Sequence, residues 1–167
     1  MKILLAGEGG QGVQLVTQLI NKAAYLEKKP SLYIPNFGVE QRGGVSLAFV
    51  NIDPNVVYPK FEKADLLVIF SDRSYPRVKN YIGPKTKVFV GPTVSKNLVP
   101  NSQPVSGGKH SPKVYNIIIL GKILKETNVV EMETIKKTME ERLAHHFKKN
   151  PKLRELDFEA LEFGYGL

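Results

Sequence analysis

The chain alternates between short continuous apolar runs and longer stretches whose apolar residues recur every three or four positions. Continuous runs are typical of strands buried in a parallel sheet, and the three-to-four spacing is typical of amphipathic helices. Strands are predicted at 2–6, 31–34, 45–52, 65–70 and 87–90. Helices are predicted at 10–27, 74–81, 114–125, 131–149 and 153–163. Strands that alternate with helices predict an α/β fold with a largely parallel sheet.

We expect a three-layer, Rossmann-like sandwich that spans residues 1–167 as a single domain, because 42% apolar content is enough for one sizeable core. Two segments carry weaker patterns. Residues 56–58 are expected to form a brief hairpin return, and 91–112 are expected to form either a long loop or a loop with a short strand near Val105.

A glycine turn follows the first predicted strand, at 7–12. Closely spaced glycines between a strand and a helix present several backbone N–H groups and the positive end of the helix at one point, which suits an anion. The turn supplies the candidate binding residues Gly7, Gly9, Gly10, Gln11 and Gly12. An alternative is that the glycines only make a tight strand-to-helix turn and bind no ligand.

Gly7, Gly9 and Gly12 also satisfy the G-x-G-x-x-G pattern of dinucleotide-binding domains. A stand-alone NAD(P)-binding oxidoreductase is therefore the alternative function. That function also requires an acidic residue at the end of the second strand, to hold the ribose hydroxyls. The strand at 31–34 ends in Pro35 and Asn36, so the dinucleotide hypothesis weakens while the anion site remains.

The formal net charge is +8, and residues 109–154 hold eleven Lys or Arg against five Glu. A solvated helical surface, a nucleic-acid contact, or a face for an acidic partner or phosphorylated ligand would each explain this charge. No recognition motif accompanies it, so we expect no nucleic acid. No apolar run approaches the roughly 18 residues of a membrane span. The chain enters its first strand without a signal-peptide pattern, which predicts a cytoplasmic protein.

The sequence contains no cysteine. This excludes disulfides, thiol nucleophiles and thiolate-bound zinc or iron–sulfur clusters within the chain. Two other polar pairs are expected to be structural. Ser71–Asp72 is predicted to cap a short helix. His145 and His146 point about 100° apart on a helix and are predicted to be solvated.

Three stretches carry a resemblance to a known family: Gly-Glu-Gly-Gly-Gln-Gly at 7–12, Phe-Gly-Val-Glu-Gln-Arg-Gly-Gly at 37–44 and Tyr-Asn-Ile-Ile-Ile-Leu-Gly at 115–121. Together they resemble the gamma subunit of the 2-oxoacid:ferredoxin oxidoreductases, the pyruvate/ketoisovalerate oxidoreductase gamma domain family. These enzymes decarboxylate 2-oxoacids to acyl-CoA. The similarity covers nearly the whole chain.

The resemblance implies a subunit with no catalytic residue of its own, which packs on alpha and beta subunits, with or without a delta subunit, and reaches ferredoxin through the complex. It implies thiamine diphosphate, magnesium and iron–sulfur clusters in those partner subunits, and coenzyme A at the face of this chain. The sequence agrees, because it has neither cysteines for a cluster nor a Gly-Asp-Gly…Asn motif for thiamine diphosphate.

The resemblance also adds four candidate residues for the coenzyme A side. Glu40, Arg42 and Gly43 lie in the second stretch, where the Arg42 guanidinium suits a phosphate or a partner carboxylate. The alternative is that Glu40 and Arg42 pair with each other or with a neighbouring strand to fix a surface loop. Asn116 either contacts the ligand or caps and hydrogen-bonds a loop. Tyr58-Pro59-Lys60 resembles family members directed at 2-oxoglutarate, which ranks that oxoacid slightly ahead of branched-chain acids and pyruvate.

Overall fold

A mixed sheet forms the centre of the molecule in the computed structural model, which describes residues 1–38, 43–55 and 61–167. Within these residues the strands are β1 (Lys2–Glu8), β2 (Ser31–Phe37), β3 (Val45–Ile52), β4 (Leu66–Ile69), β5 (Lys87–Val90) and β6 (Gln103–Pro104). The helices are α1 (Val13–Leu26), α2 (Tyr75–Val78), α3 (Tyr115–Thr127), α4 (Met132–Lys149) and α5 (Pro151–Gly166). Short 3₁₀ turns at 72–74, 79–81 and 112–114 flank α2 and precede α3.

The strand order is β2-β3-β1-β4-β5-β6. β1, β4, β5 and β6 are mutually parallel; among the described strands β3 alone has the opposite direction, and it pairs antiparallel with β1 on one side and β2 on the other. The largely parallel sheet is therefore confirmed, with β3 as the exception. The reason is the length of the connection: β2 and β3 are joined by residues 38–44, too few for the crossover of a dozen or more residues that a parallel pair needs.

β2 extends three residues beyond its predicted end. Pro35 and Asn36 pair with Ala48 and Leu47 of β3, so the strand continues through a proline. Proline is tolerated because β2 pairs with β3 alone among the described strands, and an edge strand does not need every N–H for the ladder. Of the two alternatives for 91–112, the loop with a short strand is the one observed, and that strand is β6, directly before Val105. The expected hairpin return at 56–58 lies outside the described residues.

Two cores lie on opposite faces of the sheet, as the alternation along β1 requires. Ile3 and Leu5 face a core covered by α1, α3, α4 and α5, and Leu4 and Ala6 face a smaller core beneath α2. In the smaller core, Phe49 packs edge-to-face with Phe61 at 5.6 Å between ring centroids. The predicted three-layer sandwich is thus confirmed.

α3 and α5 cross at two glycines. A Cβ atom on Gly121 would meet the backbone of α5, 2.7 Å from the Tyr165 nitrogen, and a Cβ atom on Gly164 would lie 2.9 Å from the Ile118 Cα atom. Real Cβ atoms almost never approach other atoms within 3.0 Å. Backbone therefore packs directly on backbone at this crossing. Among the helices that the structure describes, none is long and apolar enough to cross a membrane.

Candidate functional site

Three segments meet at the edge of the sheet where β1 and β4 end and β3 begins. They are the glycine turn, Gly43–Gly44 and the segment 70–73 that follows β4. The Gly9 amide donates to the Gly44 carbonyl at 2.9 Å, and the Phe70 amide donates to the Ala6 carbonyl at 2.7 Å. These three segments therefore share one rim of the sheet.

The glycine turn is held by Gln11. The Glu8 amide donates to Gln11 Oε1 at 2.8 Å, and Gln11 Nε2 donates to the Phe70 carbonyl at 3.3 Å. The Gln11 amide itself donates to the Glu8 carbonyl at 3.1 Å. Gln11 was predicted as a binding residue. Its side chain and amide are engaged inside the fold, as is the amide of Gly9.

The remaining glycines of the turn have different reasons to be glycine. A Cβ atom on Gly7 would lie 2.8 Å from the Val13 side chain and 2.9 Å from Phe70, so close packing requires this position to be glycine. Gly10 and Gly12 have φ angles of 95° and 78°, which a side chain rarely tolerates. A Cβ on Gly10 would meet nothing within 4 Å. Gly10 is therefore open to a ligand, whereas Gly7 is not.

The start of α1 leaves backbone donors free. Gly12 is the N-cap and has no side chain to accept from the helix, and the first intrahelical bond runs from the Val16 amide to the Gly12 carbonyl at 3.0 Å. The amides of Val13, Gln14 and Leu15 have no hydrogen-bond partner among the described residues. Unpaired N–H groups at the positive end of a helix attract an anion.

Two clefts flank the glycine turn. The first has a volume of about 390 Å³ and is lined by the turn, by the first residues of α1 and by the segment at the start of β3: Glu8, Gly9, Gly10, Gly12, Val13, Gln14, Leu15, Gly38, Gly44, Val45 and Ser46. The second has a volume of about 320 Å³ and lies between the turn, the end of β5 and the start of α3: Gly10, Gln11, Phe70, Gly91, Pro92, Thr93, Pro112, Lys113, Tyr115, Asn116 and Ile119. Gly10 borders both clefts.

Lys113 gives the second cleft a positive charge, and it was not singled out from the sequence. It belongs to the basic stretch 109–154 and precedes α3 directly after Pro112. The signal was therefore present as charge. Only the fold shows that this lysine, among the eleven basic residues of that stretch, lies beside the glycine turn.

Asn116 lies in the first turn of α3 and packs on the glycine turn. A Cβ atom on Gly12 would fall within 3.0 Å of the Asn116 amide group, so this contact leaves no room for a side chain at position 12. The capping alternative for Asn116 is wrong, because the N-cap of α3 is Val114 and the preceding 3₁₀ turn is capped by Ser111. Asn116 instead forms part of the wall of the second cleft.

The segment 70–73, which follows β4, forms hydrogen bonds both to the loop after β5 and to the glycine turn. Ser71 makes no side-chain cap bond, so the predicted cap is absent. Asp72 accepts a hydrogen bond from the Ser95 hydroxyl and one from the Ser95 amide at 2.8 Å, and these bonds hold the pKa of Asp72 below its ordinary value. Arg73 Nη1 donates to Glu8 Oε2 at 3.2 Å and to the Gly43 carbonyl at 2.9 Å.

Glu40 and Arg42 lie outside the described residues, so their predicted pairing or ligand contact stays a prediction. Gly43, the third candidate from that stretch, has a φ angle of 74° and holds its carbonyl toward Arg73. The rings of His145 and His146 lie 6.0 Å apart between centroids. Within the described ranges, no group of three His, Cys, Asp or Glu is placed to hold a metal ion.

The strand order bears on the dinucleotide alternative. In a dinucleotide-binding domain, the acidic residue for the ribose ends the strand adjacent to the glycine-turn strand. Here β3 lies between β1 and β2, which places β2 two strand spacings, about 10 Å, from β1. β2 also ends at Phe37 without a carboxylate. The alternative of a stand-alone NAD(P)-binding oxidoreductase is not favoured.

Comparison with known proteins identifies relatives along the whole chain. The profile of the family described as pyruvate ferredoxin/flavodoxin oxidoreductase matches residues 2–167. The 2-oxoglutarate synthase subunit KorC of Methanocaldococcus jannaschii is 32% identical over 151 residues, which cover 83% of this chain and 81% of that protein. The pyruvate/ketoisovalerate oxidoreductase common subunit gamma of Pyrococcus furiosus is 27% identical over 163 residues, covering 84% and 85%.

Solved structures share the fold. The keto/oxoacid ferredoxin oxidoreductase gamma subunit of Geobacter sulfurreducens superposes with a TM-score of 0.78 at 24% identity, over 99% of this chain and 96% of that one. The 2-oxoglutarate:ferredoxin oxidoreductase of Magnetococcus marinus, solved with 2-oxoglutarate, coenzyme A and succinyl-CoA, gives a TM-score of 0.84 at 20% identity, over 99% of this chain and 30% of that one.

Proposed function

This chain belongs to the pyruvate ferredoxin/flavodoxin oxidoreductase family, as the gamma subunit of a 2-oxoacid:ferredoxin oxidoreductase, and we propose that its role in that enzyme is to hold the phosphate groups of coenzyme A. The complex converts a 2-oxoacid to acyl-CoA by oxidative decarboxylation. We propose that residues 1–167 form a single domain. We also propose that the chain has no enzymatic activity without its partner subunits.

The free donors at the start of α1 are the observation that carries this role. Val13, Gln14 and Leu15, whose amides have no hydrogen-bond partner among the described residues, line the same cleft as Gly10, where a Cβ atom would meet nothing within 4 Å. Such a cluster binds a phosphate by several N–H donors at once, with the helix dipole adding to the attraction. Gly9, Gln11 and Gly7 act indirectly, because they shape the turn.

Lys113 supplies the cationic partner for a second phosphate. It lines the second cleft, which meets the first at Gly10. Coenzyme A carries three phosphate groups, so two adjoining clefts with complementary charge suit its nucleotide end. We propose Arg42 as a further phosphate ligand on the evidence of its residue type and sequence position alone.

The redox chemistry is proposed to reside in other chains. Iron–sulfur clusters are bound through cysteine thiolates, and this chain contains no cysteine, so its own residues do not fit a cluster. We propose that alpha and beta subunits, with or without a delta subunit, hold thiamine diphosphate, magnesium and the clusters, and that ferredoxin docks on the complex. A cytoplasmic location is also proposed.

2-Oxoglutarate is the oxoacid that we propose first. The Methanocaldococcus jannaschii relative is named a 2-oxoglutarate synthase subunit, while the Pyrococcus furiosus relative is named for pyruvate and ketoisovalerate. Dye reduction by the purified complex with each of these oxoacids in turn tests the proposal. A clear preference of kcat/KM for pyruvate or ketoisovalerate would contradict it.

The coenzyme A role is tested by Lys113→Gln in the complex assembled with its partner subunits. Loss of an exposed cation beside a phosphate costs up to about 1 kcal/mol, so the KM for coenzyme A should rise about fivefold. The matched control is Lys109→Gln, an exposed lysine in the same loop that lines neither cleft. An unchanged KM in a fully assembled Lys113→Gln complex would count against the phosphate site.

A further inference from the structure

We propose that Arg73 is a positioning residue that neutralises Glu8 and thereby keeps the first cleft able to accept a phosphate. This inference rests on the proposed coenzyme A role. Arg73 follows β4 and was not among the residues that the sequence pattern identified. Its guanidinium links two other segments of the rim through one nitrogen atom.

Arg73 connects two segments beside the first cleft through its hydrogen bonds. Nη1 donates to Glu8 Oε2 at 3.2 Å and to the Gly43 carbonyl at 2.9 Å. These acceptors belong to the glycine turn and to the segment before β3, which are joined beside them by the bond from the Gly9 amide to the Gly44 carbonyl at 2.9 Å. The Arg73 side chain is 65% exposed, so it does not serve to fill the core.

The remainder of the segment 70–73 fixes Arg73 in place. Asp72, its neighbour, accepts from the Ser95 amide at 2.8 Å and from the Ser95 hydroxyl. The Phe70 carbonyl accepts from Gln11 Nε2 at 3.3 Å and from Thr93 Oγ1 at 3.1 Å. The backbone that carries Arg73 is therefore anchored to the glycine turn on one side and to the loop after β5 on the other.

Glu8 creates the need for a cation. Its side chain is 24% exposed, and it lines the same cleft as the unpaired amides of α1. An uncompensated carboxylate at this point repels a phosphate and cancels part of the attraction of the amides. With Arg73 in contact, the pair is close to neutral and the helix end determines the local potential.

This arrangement predicts a rescue that simple structural damage would not show. Arg73→Ala should raise the KM for coenzyme A about three- to tenfold and leave kcat within about twofold, because an exposed charged contact and the repulsion it relieves together cost on the order of 1 kcal/mol. Adding Glu8→Gln removes the repelling charge. The double variant should recover at least half of the lost affinity on a logarithmic scale.

The experiment measures oxoacid-dependent dye reduction by the assembled complex at several coenzyme A concentrations. Arg77→Ala is the control, because Arg77 is an exposed arginine on α2 for which the described residues provide no ion pair. Its KM should match the wild type. Should Arg73→Ala fail to assemble, Arg73→Gln, which keeps a donor for the Gly43 carbonyl, should show the same rise and the same rescue.

The outcomes separate this inference from the proposed function. The role of Arg73 is overturned if Arg73→Ala has a normal KM for coenzyme A, or if its KM is raised and Glu8→Gln does not lower it again. In either case, a raised KM for Lys113→Gln would still support the coenzyme A site. If neither Lys113→Gln nor Arg73→Ala alters the KM, the coenzyme A role and this inference fall together.

Discussion

Replacing Gly164 by alanine tests the backbone contact between α3 and α5. A Cβ atom at position 164 would lie 2.7 Å from the Ile118 carbonyl carbon and 2.9 Å from the Ile118 Cα atom. These are backbone atoms in the middle of a helix, so no side chain can rotate away to make room. The helices must separate, which loosens the contacts of Ile118 and Leu161, both fully buried.

The size of the effect follows from two opposing contributions. Overpacking a well-packed site costs about 1–3 kcal/mol and occasionally more, and a clash with rigid backbone belongs at the upper end. Alanine in place of glycine in a helix returns about 1 kcal/mol through propensity. We expect the free energy of unfolding to fall by about 2 kcal/mol, which lowers Tm by about 4–8 °C for a chain of this size.

Gly166→Ala provides the matched control on the same helix. Position 166 lies two residues further along α5, and a Cβ atom there would meet nothing within 4 Å. Urea unfolding of the purified chain, followed by far-ultraviolet circular dichroism, should therefore give wild-type stability or slightly more for this control. A Gly164→Ala variant within 0.5 kcal/mol of the wild type would refute the close backbone contact as a stabilising feature of the fold.

Two further predictions concern the contact between Glu27 and the start of α4, and Gly12 in the glycine turn. Although burial favours its protonated form, hydrogen bonds from Lys29, the Glu131 amide at 2.7 Å and Thr134 hold the pKa of Glu27 below its ordinary value. Glu27→Gln should cost about 1 kcal/mol at pH 7. Because the folded-state pKa of Glu27 is lowered, its contribution to stability is present above about pH 4.5 and declines as the pH falls through the folded-state pKa. The free energies of unfolding of the wild type and Glu27→Gln should therefore converge in acid. A difference in stability that does not change with pH would contradict the role of the Glu27 carboxylate. Gly12→Ala should cost about 2 kcal/mol or more, from its left-handed φ angle and its contact with Asn116. Adding Asn116→Ala should restore only the contact portion in the same unfolding assay, and full recovery would show that the φ angle carries no cost.

Much of the fold follows from patterns that are local along the chain. Continuous apolar runs predict β1, β4 and β5, and the spacing of apolar residues predicts α1, α3, α4 and α5, because burial of a face depends on neighbours within one or two turns. The short helix at 74–81 is present only as one turn of α2 between two 3₁₀ turns.

The candidate site was predicted in part. Closely spaced glycines after a strand indicate a tight turn into a helix, because positive φ is readily adopted by those residues, and anion binding there stays a prediction. The sequence does not show which amides are free. The Gln11 amide bonds within the turn to the Glu8 carbonyl, whereas the Gly9 amide bonds to the Gly44 carbonyl, which lies beside it only because β3 begins there.

Sequence alone thus determined the α/β class, the glycine turn and, through three matched stretches, the family. Tertiary structure alone decided which distant residues meet: Arg73 and Glu8 are 65 positions apart, and Lys113 reaches the turn only because α3 starts beside it. It also decided the antiparallel placement of β3, which distances β2 from the turn. The physical reason is that backbone conformation and burial patterns are local, whereas a charge pair or a helix crossing depends on the packing of the whole chain.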